Sequence, residues 1–162
     1  MRSILTHEKG GRLIIGPYPT PASMLSINPG LCINLCTQEE INKYGSYKEI
    51  VLEEIDTEQK PQFIHFPMDI KLKYSDTDID KWSKIISLVR DGILQGKTCF
   101  VHDASCSDRV KVFSTCVLIF YDDYSTIHNT LVKVDDTYKY KPNLRLISIL
   151  TRIRHDIRSS KL

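Results

Sequence analysis

The chain has 162 residues, 41% hydrophobic and 26% charged, which is enough apolar material for one globular domain over residues 1–162 with its own core. Its net charge of +2 is small and its Lys and Arg residues are spread along the sequence, which argues against nucleic acid or a membrane as partner. No apolar run approaches a bilayer span, Met1-Arg2-Ser3 opens no secretory leader, and the five cysteines lie mostly in apolar segments, so a reducing compartment, by default the cytoplasm, is expected.

Short apolar or β-branched runs bounded by Gly, Pro or polar residues predict buried strands at 12–15, 31–36, 49–55, 63–67 and 98–102. Cys32 and Cys36 fall in the second run without a second ligand pair, so they are expected to be buried thiols and not zinc ligands. Over 76–90, Ile79, Trp82, Ile85, Ile86 and Val89 recur at helical spacing behind an Asp-rich first turn, which suits the positive end of a helix dipole. Segments 109–121, 126–134 and 143–158 also read as helices. Strands alternating with helices, followed by a helical cluster, predict an α/β domain with one central sheet. His7, His65, His102, His128 and His155 show no metal-ligand spacing, and neither metal nor cofactor is expected. Tyr121, Tyr124, Tyr138 and Tyr140 read either as half-buried packing residues or as a recognition surface.

Residues 98 to 112 carry the chemistry: a buried strand, then His102-Asp103-Ala104-Ser105-Cys106-Ser107-Asp108-Arg109, then the start of a helix. A chain that turns from strand into helix this way gathers backbone N–H groups and a helix N-terminus into a cradle for an anion. The segment resembles the His-Cys-x-x-Gly-x-x-Arg signature of the tyrosine and dual-specificity phosphatases in spacing, with three departures. Asp103 stands at the nucleophile position, Cys106 at the glycine, and Val110 at the Ser/Thr after the arginine. The resemblance extends along the chain. Leu13-Ile14-Ile15-Gly16-Pro17 with Thr20 to Leu25 resembles the family's opening strand and short helix, and Pro29 to Leu35 its following turn and buried strand. Phe63 to Asp69 resembles the strand leading to the general-acid loop, and Lys141-Pro142-Asn143-Leu144-Arg145-Leu146 the opening of the last helix. It implies a dual-specificity-phosphatase-like domain whose central mixed or parallel sheet of about five strands is flanked by helices.

The departures imply a catalytically silent member of that fold. The family's reaction needs a thiolate, which Asp103 cannot supply. Asp103 would also repel a phosphate by roughly 4 kcal/mol at about 4 Å in an effective dielectric near 20, and an internal Asp103–Arg109 ion pair is the expected arrangement. Cys106 is expected where positive φ is needed, at about 1–2 kcal/mol for a residue with a Cβ. It stands three residues before Arg109, too near to act as the nucleophile, and reads as a partly buried loop cysteine. Asp69, the general acid by resemblance, is equally an ordinary loop aspartate, and His102 is expected to order the loop or contact Asp103. The implied function is non-enzymatic: a module that holds a protein partner, phosphorylated or not, in phospho-signalling. The alternative is a phosphatase that is weakly active or whose cysteine has been substituted. Ser160-Lys161-Leu162 matches a peroxisomal address and leaves that compartment as a second reading.

Overall fold

The computed structural model describes residues 1–45, 61–122 and 126–160. The predicted strand at 49–55, Tyr124 and the final Lys161-Leu162 lie outside them. Among the described residues five strands form one sheet: β1 (Arg2–Thr6), β2 (Arg12–Gly16), β3 (Leu31–Asn34), β4 (Gln62–His65) and β5 (Thr98–His102), in the order β1-β2-β5-β3-β4. β1 runs antiparallel to β2, and the other three pairings are parallel. The six helices among the described residues are α1 (Pro21–Ile27), α2 (Gln38–Tyr44), α3 (Ile79–Leu94), α4 (Asp108–Tyr121), α5 (Ile127–Val134) and α6 (Leu144–Ser160).

Period-two alternation in the strands sorts the core onto two faces. Ile14, Cys32 and Phe100 pack with Met24 of α1 on one side. Leu13, Ile15, Ile33, Cys99 and Val101 face the larger helical layer on the other. α4 is the hub of that layer: every residue from Val112 to Phe120 is buried, so the helix is enclosed all round, in contact with α3, α5 and α6.

The predicted helices appear within a few residues of their expected ends, and a 3-10 turn at Asp76–Asp78 precedes α3. Two elements escaped the periodicity. β1 is an edge strand, at most half-buried, with an irregular register between Ser3 and Leu5, so its alternation is broken. α2 is seven residues long and buries none of them fully. β3 stops at Asn34, short of the expected 36, because the Asn34 side chain accepts from the Cys36 amide at 2.9 Å and turns the chain out of the sheet. β4 ends at His65, two residues before Pro67, which has no N–H for a ladder.

Parallel pairing sets Gly16, His102 and Asn34 side by side at the C-terminal edge of the sheet. The segments that follow β2, β3, β4 and β5 therefore emerge on one edge, where open parallel sheets place ligands.

Candidate functional site

The loop between β5 and α4 lies at that edge. Asp103, fully buried, is its first residue. Its Oδ1 accepts from the Ser105 amide at 3.0 Å and the Ser107 amide at 3.2 Å, and Ser107 Oγ donates to its Oδ2. Ser107 is also the N-cap of α4, its hydroxyl accepting from the Arg109 amide at 3.4 Å. Amide donors that an oxyanion would use in such a cradle are thus spent on the chain's own carboxylate. Cys106 has φ +57, so the loop takes a left-handed turn there despite the Cβ.

Arg109, on the first turn of α4, is buried, and its guanidinium is held from three segments. Its two terminal nitrogens donate to Glu40 Oε1 at 2.7 Å and Oε2 at 2.8 Å, a bidentate fork. Nη1 also lies within reach of the carbonyl oxygens of Leu35 at 3.4 Å and Met68 at 3.3 Å. The expected pair with Asp103 is present only through Nε, 3.3 Å from Oδ2, in a geometry that makes no hydrogen bond. The principal partner of Arg109 is therefore Glu40 and not Asp103. A carboxylate on the first turn of α2 can face the fork squarely, whereas Asp103 is already turned toward the amides of its own loop.

Glu40 was not among the residues singled out from the sequence. The signal that could have found it is Thr37-Gln38-Glu39-Glu40, a capping box. The Thr37 amide donates to Glu40 Oε1 at 2.9 Å, and the Glu40 amide to Thr37 Oγ1 at 3.4 Å. Glu40 thereby ties the start of α2 to Arg109. Hydrogen bonding by Arg109 holds its carboxyl down at about 2, overcoming the opposing effect of burial.

The surrounding groups are shifted toward neutrality. Burial lowers His102 to about 4. Its ring stacks on Phe100, and Nδ1 lies 3.1 Å from the Asp103 carbonyl oxygen, so the proton sits on Nδ1 and the ring orders the loop through the backbone. Tyr18 meets the same ring edge-on and stacks against Tyr44, while its amide donates to the Ala104 carbonyl. Burial, then Glu40, pushes Cys36 up to about 12. Burial, then Asp103, pushes the half-buried Cys106 up as well. Neither thiol has the depressed value of a reactive cysteine.

Asp69 is exposed, its Oδ1 accepting from the Lys71 amide at 2.7 Å, so it caps the turn after β4. Val110 is buried in the core and Asp108 lies 3.8 Å from Lys111. Tyr138 is buried and Tyr140 exposed. Among the described residues no three His, Cys, Asp or Glu side chains are grouped to hold a metal. No described helix is long and apolar enough to cross a membrane.

No protein-family model matches the chain, and no curated sequence relative matches it. Solved structures do match. Kinase-associated phosphatase with its catalytic cysteine substituted by serine aligns at TM-score 0.75 and 12% identity, over 91% of this chain and 88% of that one. Tk-PTP in its active form aligns at 0.68 and 12%, over 94% and 96%. Human DUSP28 aligns at 0.59 and 11%, over 91% and 94%. With five strands in one mixed sheet and six helices among the described residues, and near-complete overlap with these proteins, the chain has the fold of the dual-specificity and protein tyrosine phosphatases.

Proposed function

We propose that this protein is a phosphatase-shaped binding module without phosphatase activity, which holds a protein partner in phospho-signalling. The observation that carries the reading is the double occupation of the cradle by the chain's own acids. Asp103 takes the loop amides and Glu40 takes the Arg109 fork. By resemblance Asp103 stands where the fold's enzymes hold their nucleophile, and its carboxylate is turned into its own loop, accepting from two amides and a hydroxyl there. The nearby thiols offer no substitute, since both are shifted away from the thiolate.

The rival reading, a weakly active phosphatase, needs a nucleophile that these groups do not supply. The test is turnover of an aryl phosphate and of phosphotyrosine and phosphothreonine peptides, compared with Arg109→Ala. Equal, background rates are expected. Turnover that disappears in Arg109→Ala would overturn the proposal.

A further inference from the structure

Two segments remote in sequence meet beside the site. One is Ile70-Lys71-Leu72-Lys73-Tyr74; the other is Lys139-Tyr140-Lys141-Pro142-Asn143-Leu144-Arg145. The Arg145 guanidinium donates to the Lys71 carbonyl and joins them. Together they present Lys71, Lys73, Lys139, Lys141 and Arg145, all exposed, with no acid in either segment. None of these five forms an ion pair among the described residues.

Three of the neighbouring acids are paired with cations outside the lip, Asp108 and Asp135 sharing Lys111 at 3.8 and 3.4 Å and Asp136 meeting Arg2 at 2.6 Å, and Asp69 accepts from the Lys71 backbone amide. Three large apolar side chains stand out of the same lip: Ile70 at 66% exposure, Leu144 at 77% and Tyr140 at 84%. Lys139 lies over the Tyr140 ring, 5.9 Å from its centroid, and among the described residues the lip's charge is left without an acidic partner beside exposed apolar groups.

Behind the lip, and sharing Leu72 and Lys73 with it, is a cleft of about 110 Å³ whose apolar wall includes Phe66, Trp82, Ile149 and Ile153. Its rim sets Lys73 and Lys81 against Asp69 and Asp78, so the positive excess comes from the rest of the lip, Lys71, Lys139, Lys141 and Arg145. A flat bilayer could rest on Ile70 and Leu144 but could not reach the recessed face of Trp82. A side chain carried on an extended peptide could.

We propose that the cleft and lip together bind a carboxylate-rich segment of a partner protein, with one apolar side chain in the cleft and acids along Lys71, Lys73, Lys141 and Arg145. This names the partner's chemistry for the binding module proposed above and rests on that reading. Recognition then lies beside the self-occupied cradle.

Trp82 is the chain's one tryptophan and forms the cleft wall, so its emission reports occupancy. The full chain is titrated with the acetylated, amidated peptide Glu-Glu-Asp-Leu-Glu-Asp-Glu and with the same peptide carrying Ser for Leu. A saturable change in Trp82 emission is expected with the Leu peptide and not with the Ser peptide. The apparent Kd should rise with salt, and rise roughly tenfold in Lys71→Glu combined with Arg145→Glu, whose circular dichroism checks its folding. A silent Trp82, equal binding of the Ser peptide, or no effect of the double reversal would overturn the proposal. A response to phosphatidylserine vesicles without one to the peptide would replace it with a membrane surface. Aryl phosphate turnover by the same sample would overturn the non-enzymatic reading and leave the cleft assignment standing, and a silent Trp82 would do the reverse.

Discussion

At the scale of single residues, two carboxylates define the site by what each holds. Asp103→Ser removes the acid from the loop amides but leaves Arg109 in the grip of Glu40. That single change should gain little affinity for phosphate or sulfate. Combined with Glu40→Gln, which frees the charge of the fork, it should bind oxyanion measurably by calorimetry near neutral pH. Equal, tight binding by the native chain would contradict the geometry. Glu40 also makes a pH prediction. Its carboxyl is depressed from 4.5 to about 2 by Arg109, so its contribution to stability is complete above about pH 4.5 and is lost as pH falls through about 2. Glu40→Gln should therefore cost about 3 kcal/mol at neutral pH, because it leaves a buried guanidinium poorly paired. In denaturant titrations the gap between native and variant should close as the pH falls from 4.5 toward 2. A gap independent of pH would mean that the charge of Glu40 is not what stabilises the fork.

At the scale of elements, the loop and α4 act as one unit. Asp103 holds Ser107, Ser107 caps α4, and Arg109 on the first turn is braced by α2 and by the segments after β3 and β4. The strained point is Cys106 at φ +57. Cys106→Gly should raise stability by up to about 1 kcal/mol, since glycine takes the left-handed turn without a Cβ penalty, less what the half-buried thiol contributes by packing. A chemical-denaturation midpoint measures it. A clear loss of stability would mean that the packing of Cys106 outweighs its backbone strain.

At the scale of the whole molecule, the parallel sheet delivers four segments to one edge, and α4 anchors that edge to the core. Phe113 is fully buried against Phe66 and Trp82, with ring centroids 5.8 and 6.0 Å away. Phe113→Ala should cost about 3–5 kcal/mol through lost burial and a residual cavity. The change should also blunt the tertiary signal of Trp82 by near-ultraviolet circular dichroism. A loss below about 1 kcal/mol would show that the helical layer closes around the gap. The same assembly makes the basic lip. Its lysines look dispersed along the chain, and become a patch only because Arg145 at the start of α6 reaches the turn that follows β4.

What the sequence determined by itself was local. Short apolar runs specify β2 and β5 because alternation and flanking breakers act within a few residues. The passage from Phe100 to Arg109 already marks a strand, a cradle and a helix start, and Cys106 at the glycine position already foretells a residue with positive φ. Elements with weak local signals, β1 and α2, were not legible, since an irregular edge strand and a seven-residue surface helix leave little periodicity to read. The partner of Arg109 was decided by tertiary structure alone. Asp103 is six residues away in sequence, yet its carboxylate turns into its own loop. Glu40 is 69 residues away, and it reaches the fork because β3 pairs with β5 and starts α2 beside the loop. A carboxylate binds where donors are already oriented, and which donors face it is settled by strand order and not by separation along the chain.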